Sequence, residues 1–212
     1  LNGEAIYSTE ETREQLEYHQ HVEDRQRVLA TWSQISEEGR LLTAAQILER
    51  RPEGVSTLAD AVEANLEELA RLESIDNGKP IALARSVDIP RAVANLRWFA
   101  DAAVEFTSRD ICFTTKAAKS EVQLRPAGVL GAISPWNLPL YLLTLKIAPA
   151  LAMGNTVVIK SSELAPATLF EFAKLIEKTG IPKGVVNVIT GFGEPCGKAL
   201  TTHKNVERIA FT

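Results

Sequence analysis

Residues 131–163 read GAISPWNLPLYLLTLKIAPALAMGNTVVIKSSE, and this stretch decides the fold. It opens as an apolar strand and breaks at Pro135-Trp136-Asn137. An apolar helix follows, interrupted by Lys146 and closed by the turn Gly154-Asn155. A second strand, Thr156–Ile159, delivers Lys160 and Glu163 just past its end. In an open α/β sheet, ligands bind outside the carboxyl ends of the strands. Asn137 and Lys160 both fall at such ends, so an amide, an ammonium and a carboxylate share one rim of an expected nucleotide site.

The pattern continues outward. From Pro126 the order is strand, helix, strand, helix, strand, with strands at 129–134, 156–159, 185–189 and 208–211. Helices are expected over 140–153, 167–179 and 195–202. Alternation of this kind predicts a parallel sheet with crossover helices, a Rossmann-like α/β core. The strands read as apolar on both faces, as a sheet covered on both sides requires. Upstream, helices are expected over 9–32, 37–50, 58–75 and 81–107, forming a helical layer, with Pro90 early in a helical turn. Arg51-Pro52-Glu53-Gly54 reads as a break, and Asn77-Gly78-Lys79-Pro80 as a helix stop. Residues 108–115 read as irregular and 120–125 as a strand. The expected division is a helical layer over 1–126 and an incomplete cofactor core over 127–212.

Composition narrows the function. The chain has 212 residues, 45% hydrophobic and 24% charged, with net charge −4, ordinary for a globular protein. That charge gives no extended basic face for nucleic acid. No apolar run reaches the length of a membrane span. Two cysteines make no disulfide framework, which points to a reducing, cytoplasmic compartment.

The motifs Pro135-Trp136-Asn137, Gly154-Asn155-Thr156-Val157, Lys160-x-x-Glu163, Gly191-Phe192-Gly193, Phe211-Thr212 and Leu72–Pro80 (LESIDNGKP) together resemble the aldehyde dehydrogenase superfamily. The resemblance runs from Leu1-Asn2-Gly3-Glu4 to Thr212 and is densest after Val122. Leu83–Arg91 and Asn137–Tyr141 resemble aminomuconate- and hydroxymuconate-type semialdehyde dehydrogenases in particular. Two departures stand out: the break at Arg51–Gly54, read as a local insertion, and Ser161, where a proline is common.

The resemblance implies an NAD-dependent oxidation of an aldehyde to its acid. A cysteine downstream of Thr212 attacks the aldehyde, Asn137 steadies the oxyanion, hydride passes to NAD, and a downstream glutamate activates water to release the thioester. Both chain ends are therefore expected to be cut, with the catalytic half lying beyond Thr212. The implied partners are a small aldehyde, that missing half, and further copies in a homo-oligomer. The alternative is a non-catalytic nucleotide-binding or structural chain.

Residue by residue, the implied cofactor set is Ser134, Pro135, Trp136, Lys160, Glu163, Gly193 and Gly197. A carboxylate at Glu163 accepts from ribose hydroxyls and repels a 2′-phosphate, favouring NAD over NADP. An amide at Asn137 stabilises developing charge without titrating; equally, it would cap the following helix. Trp136 fits either the cofactor site or the core. Leu138, Tyr141, Leu142 and Leu145 recur at helical spacing, as an aldehyde tunnel or a core stripe. Arg91 is placed to hold a distal carboxylate, or is a surface arginine. Cys196 and Cys112 are read as small hydrophobes rather than nucleophiles. His19, His21 and His203 lack companions at metal-ligand spacing, so no metal is expected.

Overall fold

The computed structural model describes residues 52–212, apart from 108–111, 116, 122–125 and 183. The helices expected within 9–50 lie outside the described residues, as does the end of the strand expected over 120–125.

Two helices open the described chain, α1 (Pro52–Ala64) and α2 (Leu66–Asn77). Sequence periodicity predicts one helix over 58–75; the structure breaks it at Asn65, where φ −110° and ψ 20° leave the helical region. Asn65 Nδ2 donates to the Ala61 carbonyl at 2.8 Å, the local competition with backbone pairing that makes asparagine a poor helix interior. The expected break at Arg51–Gly54 is also revised, since Pro52, Glu53 and Gly54 belong to α1. Proline at a first helical position loses nothing, because that N–H has no partner there anyway. Gly78 caps α2 at φ 75°, donating to the Ser74 carbonyl at 3.0 Å.

The next helix is continuous over the expected range but not uniform. A short α3 (Ile81–Leu83) passes through a wider π-type turn at Ala84–Asp88 into α4 (Ile89–Thr107). Pro90 is the second residue after the widened turn. An interior proline lacks the N–H and crowds the carbonyl one turn back, and the widened turn relieves that crowding.

Residues 112–114, expected to be irregular, form β1 (Cys112–Thr114), antiparallel to β2 (Lys119–Glu121). Then comes the α/β core: β3 (Val129–Ile133), α5 (Pro139–Ala152), β4 (Thr156–Lys160), α6 (Ala167–Ile176), β5 (Val186–Ile189), a π-type turn at Gly193–Gly197, α7 (Lys198–Thr202) and β6 (Arg208–Phe211). The four strands are parallel in the order β5-β4-β3-β6. Pairing starts from one corner. Asn155 Oδ1 accepts the backbone N–H groups of Ala127 (2.7 Å) and Gly128 (3.1 Å), fixing the entry of β3 against that of β4.

Every residue of β4 is buried, as a doubly covered strand requires. Among the described residues β6 is the outer strand beside β3, with Arg208, Ile209 and Phe211 exposed. The helices stack as a layer: α1 packs on α4, α4 lies along α5, and α5 packs on β3 and β4. Leu96, Leu140, Leu143, Ile147 and Ile159 are fully buried through this stack. No helix among the described residues is long and apolar enough to cross a membrane.

Candidate functional site

Successive strands run β3, β4, β5 in one direction, and the chain then returns to place β6 on the far side of β3. The crevice at the carboxyl end of β3 is thus the topological switch point, where ligands bind in open α/β sheets. The loop leaving β3 carries Ser134, Pro135, Trp136, Asn137 and Leu138; the loop leaving β4 carries Glu163.

The two loops are stitched together. Ser134 N–H donates to the Lys160 carbonyl at 3.1 Å, and Ser161 N–H to the Ile189 carbonyl at 3.1 Å. Ser134 is buried, and its hydroxyl donates to the Pro139 carbonyl at 2.7 Å. That side chain shapes the turn into α5. Trp136 is 52% exposed among the described residues. Its carbonyl accepts Asn77 Nδ2 at 3.1 Å. Asn137 is exposed, and it is Leu138 that stands at the start of α5, with no side-chain cap there. The helix-capping alternative for Asn137 therefore falls away, and the residue is left exposed in the loop at the carboxyl end of β3.

Lys160 is 4% exposed at the end of β4. Its Nζ donates to the Ser161 carbonyl at 2.9 Å and to Glu163 Oε2 at 3.3 Å. Glu163 is exposed. A hydrogen bond from its own backbone N–H is the main cause that holds its carboxyl below the ordinary value of 4.5; desolvation opposes it, and the Lys160 ammonium adds to the lowering. It is thus an ionised acceptor at neutral pH. Lys160 also meets the glycine turn: a Cβ on Gly197 would stand 3.7 Å from Lys160 Cδ. Gly193 is exposed, with open space where a side chain would go. The turn therefore packs its Gly197 end on the Lys160 stem and leaves Gly193 exposed. An ammonium, a carboxylate and an unobstructed glycine turn are the donor and acceptor set a dinucleotide needs.

The helix beyond Asn137 has two distinct faces. Leu140, Leu143 and Ile147 face the core, whereas Leu138, Tyr141 and Leu142 are half-buried and Leu145 is 38% exposed. The stripe is thus not core among the described residues. Arg91 of α4 reaches it: its guanidinium lies 5.2 Å from the centre of the Tyr141 ring, a cation–π distance. Asn95 adds hydrogen bonds to the Tyr141 carbonyl (3.1 Å) and Thr144 Oγ1 (3.0 Å), tying α4 to α5.

Cys196 is buried against Gly191, consistent with a packing role. Lys146 is a chemical group that sequence reasoning passed over as a mere interruption. It is half-buried, its Nζ donates to the Leu142 carbonyl at 2.9 Å, and burial lowers its pKa. It borders a cavity of about 300 Å³ with Met153, Asn155 and Arg208. A lysine inside an apolar helix was the available signal.

The comparisons with known proteins agree with this geometry. The family model described as the aldehyde dehydrogenase family matches residues 8–212. The human 2-aminomuconic semialdehyde dehydrogenase is 48% identical over 164 residues, covering 77% of this chain and 34% of that protein. The 2-hydroxymuconic semialdehyde dehydrogenase of Pseudomonas sp. (strain CF600) is 42% identical over 166 residues, covering 76% and 34%. The crystal structure of PnpE in complex with nicotinamide adenine dinucleotide superposes with a TM-score of 0.75 at 38% identity, covering 90% of this chain and 37% of that one. The chain thus spans about a third of the length of the curated relatives it matches. The chain belongs to the aldehyde dehydrogenase family.

Proposed function

We propose that the protein to which this chain belongs oxidises an aldehyde to its carboxylic acid with NAD, and that this chain supplies the cofactor rim and the oxyanion amide. The observation that carries the reading is the convergence of Asn137, Lys160, Glu163 and the Gly193–Gly197 turn at one end of the parallel sheet.

Lys160, Glu163, Gly193, Gly197 and Trp136 are the residues that would hold the cofactor, with Ser134 and Pro135 shaping the loop between them. Bound there, NAD supplies a hydride acceptor. Glu163 presents a carboxylate to ribose hydroxyls and opposes a 2′-phosphate, which supports NAD over NADP. Lys160 neutralises Glu163 and holds it in place. Asn137 directs amide N–H groups at the oxygen on which negative charge develops, a contribution typically worth about 10²–10³ in rate for one donor. The thiolate nucleophile and the glutamate base are expected from the segment after Thr212, as the family resemblance implies.

The substrate end supports a carboxylated semialdehyde. Arg91 sits over Tyr141 at the open apolar stripe of α5, placing a guanidinium within reach of a second carboxylate. The relatives named for muconic semialdehydes carry that chemistry. A cytoplasmic homo-oligomer completes the proposal.

The test is NADH production by the full-length polypeptide with a panel of neutral and carboxylated aldehydes. Asn137→Ala is expected to lower kcat by about 10²-fold or more while leaving KM for NAD near that of the parent. Aldehyde oxidation unaffected by Asn137→Ala would refute the role of that amide.

A further inference from the structure

The turn that ends α2 lies in the helical layer, outside the sheet, yet two adjacent residues of it reach the loop after β3 and the helix start that follows the loop after β4. Asn77 Nδ2 donates to the Trp136 carbonyl at 3.1 Å, across 59 positions of sequence. Asp76 Oδ2 accepts the Ala167 N–H at 2.6 Å, across 91 positions. The first contact fixes the peptide joining Trp136 to Asn137. The second fixes the first turn of α6, where the loop carrying Glu163 ends.

We propose that Asp76 and Asn77 are positioning residues: Asn77 sets the Asn137 amide through the Trp136 carbonyl, and Asp76 sets the Glu163 carboxylate through the start of α6. The inference rests on the oxyanion and ribose roles proposed above for Asn137 and Glu163.

The turn is built to stay still. Asn77 uses both ends of its amide, since Oδ1 accepts the Lys79 N–H at 3.1 Å while Nδ2 reaches Trp136. Ser74 Oγ donates to the Lys79 carbonyl at 2.7 Å. The Lys79 ammonium is tucked between two buried carboxylates, Glu73 at 2.6 Å and Asp88. A turn pinned at its far end by a buried ion pair is a rigid arm. The α6 terminus needs such an arm, because Pro166 at its cap offers no side-chain acceptor to the open N–H groups. Asp76 supplies one from another element, with a charge suited to a helix N-terminus. Reacting groups held by rigid second partners lose rate steeply when displaced, by about 10²-fold for a 1 Å shift.

The two contacts predict separable defects. Asn77→Asp keeps the acceptor for Lys79 N–H but loses the donor to Trp136. In the full-length enzyme it is expected to lower kcat about tenfold or more with KM for NAD within about twofold of the parent. Asp76→Ala is expected to raise KM for NAD about tenfold with a smaller change in kcat, and Asp76→Asn, which keeps an acceptor oxygen, to restore most of it. Hydrogen exchange gives a readout independent of activity. Asn77→Asp should speed exchange over 134–142 and leave 161–170 as in the parent, and Asp76→Ala should do the reverse.

Equal effects of both variants on both loops, or thermal destabilisation with unchanged kinetics and exchange, would overturn the proposal. A parent protein that oxidises no aldehyde sinks the activity reading instead. The exchange pattern, with an NADH fluorescence titration of Asp76→Ala, still decides the positioning roles in that case.

Discussion

Lys160 Nζ lies 3.3 Å from Glu163 Oε2, while the lysine stem passes beneath Gly197. One buried cation therefore links the loop after β4 to the turn after β5, and Glu163 stays ionised at every pH above its ordinary value of 4.5. Glu163→Gln keeps the shape and removes the charge. In the full-length enzyme it is expected to raise KM for NAD about fivefold and to narrow the preference over NADP by more than that, since repulsion of a 2′-phosphate disappears. The measurement is kcat/KM with both cofactors. A parent enzyme more efficient with NADP would end this account of Glu163.

Two glycines separate packing from ligand access. A Cβ on Gly131 would stand 2.6 Å from Ile209 Cδ1 and 3.2 Å from Leu200 Cγ, so Gly131→Ala must turn the Ile209 side chain aside and press on the buried Leu200. The expected loss is about 1–3 kcal/mol in urea denaturation. Gly197 has helical φ −61° and ψ −43°, and its nearest neighbour to an added Cβ is 3.7 Å away. Gly197→Ala is thus expected to keep or slightly raise stability, by up to about 1 kcal/mol. A rise in KM for NAD in that stable variant would mark close approach of the cofactor; no change would leave Gly197 a packing glycine.

The crossover pattern, the strand positions and the rim residues were legible because each depends on local chemistry: apolar runs, glycine turns, and a lysine and glutamate past a strand end. What escaped depends on partners distant in sequence. Nothing near Asp76 or Asn77 announces Ala167 or Trp136 as their partners. Ser134 looked like a ligand-side residue, and only the bond to Pro139 shows what its hydroxyl does. The place of β6 beside β3 follows from strand order, which composition does not carry. The split of α1 from α2 at Asn65 was visible as a weak helix former, but periodicity on both sides outweighed it.

Ser161 is fully buried, and its hydroxyl has no hydrogen-bond partner. Leaving a buried hydroxyl unpaired costs about 1–3 kcal/mol. Ser161→Ala removes the oxygen and keeps the N–H that donates to the Ile189 carbonyl. It is expected to raise stability by about 1 kcal/mol with KM for NAD unchanged. A loss of stability would mean that the hydroxyl has a partner, such as an ordered water.

Arg91 stacks on Tyr141 beside the open face of α5. Arg91→Ala is expected to raise KM for a carboxylated semialdehyde about tenfold while changing that for a neutral aldehyde about twofold or less, the difference a lost bidentate carboxylate contact makes. Steady-state kinetics with a matched pair of aldehydes decides it. Equal effects on both would return Arg91 to the status of a surface side chain.

Glu73 gives a pH signature. It is fully buried, burial drives its pKa above the ordinary 4.5, and the Lys79 ammonium opposes that rise while Asp88 adds to it. Its Oε2 has no partner. A raised folded pKa means that the native state holds a proton the unfolded chain releases. The resulting stability is fully present below 4.5 and is lost as pH rises through the folded value, with a slope of up to about 1.4 kcal/mol per pH unit. Glu73→Gln cannot titrate, so the advantage of the parent over this variant should shrink as pH rises above 4.5. Urea denaturation of both proteins across that range isolates the term, because the other titrating groups cancel in the difference. A difference that stays constant, or grows with pH, would mean that Glu73 is ionised throughout and that Lys79 alone compensates its burial.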